Sequence, residues 1–268
     1  MLRCHDDLRL PMHAARAVNR VRSVTAARPF SRVARCAVLL LMLGTSQALA
    51  ATATTLYVDR SNLACSNSGA GSQSHPFCTI SAAASKVAPG QTVRVASGTY
   101  PEMVRVPVSG TSGAPIRFTA ASGSSVTLTG GTDGFLISGR QWITLNGFTV
   151  THTSSYGISV SGSSHIRITA NHVQFSGSPV SGKTSAGIQI SNTTDSLIAQ
   201  NTSDHNTYAG ILVTGASSTR DEVRGNTTFS NAEGYQRAAP GIRIYQGSGN
   251  KVDGNVSHDN EDSGIECY

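Results

Sequence analysis

The chain has 268 residues, with 21 Lys and Arg against 15 Asp and Glu. Eight of the arginines lie between Arg3 and Arg35, opposed only by Asp6 and Asp7. Taking these from the totals leaves thirteen basic and thirteen acidic residues, so the basic balance belongs to the first fifty positions and argues against a nucleic-acid or anionic-membrane partner for the rest.

Residues 1–50 read as a secretory signal peptide. An Arg-rich stretch precedes the apolar run Ala37–Leu43, and Ala48-Leu49-Ala50 forms a small-x-small cleavage box. Seven apolar residues are too few to span a bilayer, which takes about 20. The basic stretch is long, and Met12 is an alternative start. The expected location is therefore secreted, periplasmic or extracellular. Three of the five cysteines remain after residue 50. Cys65 and Cys78 bracket the polar loop "SNSGAGSQSHPF" and are expected to form a disulfide in an oxidising compartment.

Residues 51–268 form one expected domain, with a cap and first coils over 51–131 and repeat coils over 132–268. The segment "CTISAAASKVAPG" predicts a helix with Ile80, Ala83, Ala84 and Val87 on one face, ended by Pro89-Gly90. It is placed to plug one end of a coil stack and cover a strand edge. Coils without the later register follow, in "QTVRVASGTYPEMVRV" and "APIRFTAASGSSVTLTGG".

From Gly134 a Gly-apolar pair recurs at Gly157, Gly187, Gly210, Gly241 and Gly264, with spacings of 23, 30, 23, 31 and 23. The unit is 23 residues, lengthened in every second copy. After each glycine the pattern alternates, which is the strand signal. The first and third positions (Ile158 and Val160, Ile188 and Ile190, Ile211 and Val213, Ile242 and Ile244) are expected to point inward. The second and fourth, including Gln189, Arg243, Tyr245, Glu266 and Tyr268, are expected to point outward.

Two further columns fix the register. Phe148, Asn171, Asn201, Asn226 and Asn255 form one; Thr153, Ser176, Asn206, Asn231 and Asn260 form the other. Asparagine tolerates left-handed turns, and stacked amides bond to one another. One such unit buries about four aliphatic side chains, at roughly 1.5–3 kcal/mol each. That cannot offset about 1–2 kcal/mol of backbone ordering for each of its residues. Units must therefore stack, and short β-branched strands, Gly/Asn corners and a period near 23 specify an all-β parallel β-helix.

The chain ends on "NEDSGIECY". Cys267 falls in an inward column and reads as a buried, apolar-acting thiol. Glu266 lies one coil from Arg243, where a surface ion pair is the plain reading. Asp262 and Glu266 are candidate calcium ligands, although calcium takes six to eight oxygens. The last strand would lie uncovered, so more chain or another chain is expected beyond it. The lengthened corners at 176–186 and 231–240 fall on one side of the stack and carry Lys183 and Arg237. With Gln189, Arg243, Tyr245 and Tyr268 they make a candidate surface for an acidic sugar chain, which Arg holds in bidentate fashion. His152, His165, His172, His205 and His258 are read as occupying separate columns, against a histidine metal site or triad.

The opening "LYVDRSNLACSNSGAGSQSHPFCTISAAASKVAPGQTVRVASGTYPE", with the later Gly-Ile coils and Asn turns, resembles secreted right-handed parallel β-helix proteins of the pectate-lyase-nine type over residues 56–268. The resemblance implies a polysaccharide-lyase-like protein that acts on or binds an extracellular acidic polysaccharide by calcium-assisted β-elimination. In the lyases calcium sits on an acidic run Asp-Asp-Gly-apolar-Asp; here the matching positions are Asp262-Ser263-Gly264-Ile265-Glu266. The lyases' base is a lysine on a later coil, a position beyond Tyr268. A uronan epimerase and a non-catalytic glycan-binding or structural solenoid are the alternatives. The expected state is a monomer without a membrane span.

Overall fold

The computed structural model describes residues 2–3, 55–177, 185–232, 234 and 239–268. The chain divides into two compact units, Met1–Asp6 with Ala51–Tyr268, and Asp7–Ala50. The second unit, and with it nearly all of the expected signal peptide, lies outside the described residues.

The first unit is an all-β solenoid of three parallel sheets, in which each strand pairs with the equivalent strand of the next coil. A coil starts with a Gly-Ile strand such as Ile188–Ser191. It turns into a middle strand (Leu197–Ala199) and then a third strand (Thr202–Asp204), and returns to the next Gly-Ile strand, Ile211–Thr214. Parallel strands joined by crossovers of this kind wind to the right. The predicted register is the observed one. Ile158 pairs with Ile188, Ile188 with Ile211, Ile211 with Ile242 and Ile242 with Ile265. Leu2–Arg3 lies antiparallel against the middle-sheet strand Lys251–Asp253.

Alternation within each strand builds the core. Ile158, Ile188, Ile211 and Ile242 are fully buried, as are Ile137, Ile190 and Val213. Phe118, Phe135 and Phe148 add edge-on ring contacts with centroids 6.2 and 5.0 Å apart. The glycines before the strands from Phe135 to Ile242 are there for space. A Cβ on Gly157 would meet the Gly187 carbonyl oxygen at 2.8 Å, closer than real contacts allow.

Both asparagine columns form hydrogen-bonded files. Asn171 Nδ2 donates to Asn201 Oδ1 at 3.0 Å, Asn201 to Asn226 at 3.0 Å and Asn226 to Asn255 at 2.9 Å. At the other corner Asn206 donates to Asn231, and Asn231 to Asn260, at 2.9 Å each. The left-handed turn falls elsewhere than expected. It is carried by the residue before each column position: Gly147, Ala170, Gln200, Gly225 and Gly254 at one corner, and His152, Phe175, His205, Ser230 and Asp259 at the other. The asparagines contribute hydrogen bonds, and their predecessors make the bend.

The predicted helix is Ile80–Lys86, with Thr79 as N-cap accepting from the Ala82 amide. Glu102 Oε1 and Oε2 accept from the Ile80 and Ser81 amides at 2.8 and 2.9 Å, a second cap on the same first turn. Ile80, Ala83, Ala84 and Val87 are buried as expected, and the helix packs on the strands Thr55–Val58, Thr92–Val95 and Val104–Arg105. Cys65 and Cys78 are disulfide-bonded.

Two expectations are corrected. Cys267 is exposed, and Ile265 on the same strand is 37 % exposed, because no described rung beyond theirs supplies the apolar layer that buries earlier ones. The histidines are not all in separate columns. His152 and His205 share the left-handed column, with the Phe175 ring between them at centroid distances of 5.1 and 5.2 Å.

Candidate functional site

The outward face of the Gly-Ile sheet carries two polar clusters. One is centred on Arg243, at the second position of Ile242–Tyr245. Its guanidinium carbon lies 5.3 Å from the Tyr245 ring centroid, 5.2 Å from Tyr268 and 5.9 Å from Tyr208. Arg243 Nη1 also donates to the Tyr208 hydroxyl. A cation ringed by three aromatic faces is held by their quadrupoles and loses little further freedom on binding a ligand.

Glu266 stands one rung on, in register with Arg243. The two side chains are mostly buried, and Arg243 Nε faces Glu266 Oε2 at 3.5 Å. That pair lacks hydrogen-bond geometry, and neither atom has another hydrogen-bond partner among the described residues. Buried polar atoms left so are uncommon. Glu266 Oε1 accepts from Ser263 Oγ at 2.9 Å. Tyr245 and Tyr268 meet edge to face, 6.4 Å apart, and stay exposed at 44 % and 70 %.

The second cluster lies two rungs away, beyond Leu212. Gln189 shares a side-chain hydrogen bond with Tyr156. Asp133 Oδ1 accepts from the Tyr156 amide at 3.1 Å. Burial pushes the Asp133 carboxyl up, against the amide that donates to it and the charge of Arg105. Burial and then Asp133 push the Tyr156 phenol up as well.

The structure thus gathers Arg243, Tyr245, Glu266 and Tyr268, and sets Gln189 apart from them. Lys183 and Arg237 lie outside the described residues. Tyr208, Tyr156 and Asp133 were not singled out from the sequence. Each sits one or two positions before a repeat glycine, where the corner turns its side chain onto this face; a bulky or charged residue there was the available signal.

The acids of the last rung are mostly engaged. Glu261 Oε2 accepts from the Ala239 amide at 3.1 Å, Glu266 faces Ser263 and Arg243, and Asp262 is exposed. Among the described residues no three or more metal-ligating side chains gather. With a guanidinium 3.5 Å from one of its two carboxylates, this donor set does not fit calcium as the side chains stand. No step below is routed through a metal. Among the described residues no helix is long and apolar enough to cross a membrane.

Similarity to known proteins follows the fold. The chain is 34 % identical over 125 residues to the uncharacterized protein YwoF of Bacillus subtilis (strain 168), an alignment covering 41 % of this chain and 27 % of that one. The chain thus spans under a third of that relative. Among solved structures it is similar to XylC in complex with xylose, at 13 % identity and a TM-score of 0.61, over 79 % of this chain and 63 % of that one. ORF18 of Geobacillus virus E2 is similar at 15 % identity and a TM-score of 0.51, over 75 % and 40 %. At these identities the likeness is one of fold alone. Residues 57–268 match the model of the Pel9A-like right-handed beta helix region, and the chain belongs to that family.

Proposed function

We propose that this chain recognises an extracellular acidic polysaccharide on the outward face of its Gly-Ile sheet, as a polysaccharide-lyase-like protein. The observation that carries this reading is Arg243: a guanidinium caged by three tyrosines, beside a buried carboxylate with which it makes no hydrogen bond. A uronate carboxylate would be a second anion for this guanidinium besides Glu266, and Arg pairs with carboxylates through two parallel bonds. Tyr245 and Tyr268 offer exposed rings on which sugar faces stack. The 23-residue coil suits a polymer, because it repeats an outward position about every 4.8 Å along the stack.

In β-elimination the proton alpha to the carboxylate is lost to a base while negative charge grows on the carboxyl group, and the glycosidic oxygen on the β carbon then leaves as the carbon–carbon double bond forms. Arg243, clamped on that group, would stabilise the developing charge. A base has to take the proton, and the two described lysines, Lys86 and Lys251, lie on the helix and in the middle sheet, away from this face. The non-catalytic reading therefore stands beside the lyase one, and one experiment separates them.

The full chain, labelled with ¹⁵N, is titrated with tri-galacturonate while the Arg243 Nε–Hε signal is followed. A saturable shift, lost with the neutral galactose trimer, supports recognition; no shift with any acidic oligomer overturns it. Pectate and alginate are then incubated with the chain, with and without calcium. Growth of unsaturated-uronate absorbance assigns lyase activity; binding without it assigns a glycan-binding solenoid.

A further inference from the structure

A different face of the solenoid carries a second, unassigned cleft. On the outward side of the middle sheet, Arg117, Thr144 and Arg167 stand in register on successive rungs. The two arginines are therefore about 10 Å apart, with a hydroxyl between them. Neither has a carboxylate within ion-pair distance among the described residues, and both are exposed.

At the adjoining corner Trp142 and His165 occupy equivalent left-handed positions on neighbouring coils. Their rings stack 3.9 Å apart at 16°. Trp142 is the single tryptophan of the chain. The column continues to Asp195, which accepts from Arg220 Nε and Nη2 at 2.7 Å each. That bidentate pair neutralises the one acid facing the cleft, so the two free arginines decide its charge. Together these side chains line a cleft of about 310 Å³, at the small end of ligand sites, which run from about 300 to 1,000 Å³.

We infer that this cleft is a second saccharide subsite, specific for a carboxylated sugar ring, with the Trp142–His165 stack as its aromatic wall and Arg117 and Arg167 as its carboxylate clamp. Aromatic walls select flat apolar sugar faces, and a guanidinium selects the planar carboxylate. The cleft shares no residue with the Gly-Ile face. It would engage the same class of polymer a sheet away, letting one molecule hold two segments of chain and raising avidity without new contacts at either site.

Because Trp142 is the only indole, its fluorescence reports on this cleft. The full chain is titrated with tri-galacturonate. The expected result is a saturable emission change, absent with the neutral galactose trimer and with sodium sulfate at equal ionic strength. Arg117→Gln and Arg167→Gln, each checked for folding by circular dichroism, are expected to weaken it about 10- to 100-fold, the range for a charge-assisted pair lost. Arg243→Ala, which removes the clamp of the other face, should leave the indole response within about twofold, since distant sites act independently. The proposal is overturned by a silent indole, by an equal response to the neutral trimer or to sulfate, or by a response that both arginine variants retain. Each of these leaves the Arg243 titration free to succeed or fail on its own.

Discussion

Two files of side chains climb this solenoid with the same spacing and opposite rules. Asn171, Asn201, Asn226 and Asn255 repeat one residue type inside the wall, each amide bonded to the next. Trp142, His165, Asp195 and Arg220 repeat a backbone shape on the outside and share no side chain. An enclosed amide file works only if every member can both donate and accept, so its identity is fixed. An outer file needs only a bend, and its side chains are free to differ. Identical rungs therefore mark what holds the coil, and rungs that keep the bend but change the side chain mark where chemistry can be placed.

The sharpest way to break that contrast is Asn201→Leu. It removes the acceptor for the Asn171 amide and for Asn171 Nδ2. Two buried donors left unmet at roughly 1–3 kcal/mol each predict a loss of about 2–6 kcal/mol, read from urea unfolding.

Next comes Asp204, a buried carboxylate on the third sheet that accepts from His172 Nε2 at 2.6 Å and His205 Nδ1 at 2.7 Å. Burial alone would raise its pKa, but the two hydrogen bonds outweigh burial and hold the carboxyl below its ordinary range. A depressed folded pKa means that this stabilisation is present above the unfolded value of about 3.9 and is lost as pH falls through the folded value. Asp204→Asn is expected to cost roughly 1–3 kcal/mol near neutral pH and to flatten the acid limb of stability against pH.

Glu266→Gln sharpens the contrast from the outside. It removes the carboxylate beside Arg243 and should raise affinity for acidic oligomers about two- to tenfold, because a competing charge is gone. The smallest effect belongs to Arg220→Ala. The unfolding midpoint should not move measurably, since the pair with Asp195 is exposed and screened. The uncovered Asp195 should still weaken the Trp142 response to tri-galacturonate by about threefold, a like-charge effect that added salt removes.

Much of this was legible in the residues. The Gly-Ile spacing gave the register of one sheet, and the alternation after each glycine gave its inner and outer faces, as Ile188, Ile190 and Gln189 show. The Asn columns located two corners, and the apolar stripe of Ile80, Ala83 and Ala84 located the helix. The contents of the corners were not legible. Nothing in Tyr208 by itself says that it will reach Arg243 on the following coil, because that contact spans 35 residues and depends on how the intervening corner bends. His152 and His205 were misplaced for a related reason. Their shared position is defined by backbone conformation just ahead of the Thr153–Asn206 column, and no recurring residue type announces it. Cys267 was misread because a column predicts burial only where a further layer covers it.

The amide files also make the coil a removable part. Excising residues 211–241 would join Gly210 to Ile242, set Asn201 under Asn255 and Asn206 under Asn260, and bring Ile188 beneath Ile242, so that the amide files and the inward isoleucine column keep their residue types while the outward neighbours change. A protein assembled this way can grow or shorten by whole loops of chain while keeping its seams intact. The length of its stack is thus a quantity that gene duplication can adjust in single steps.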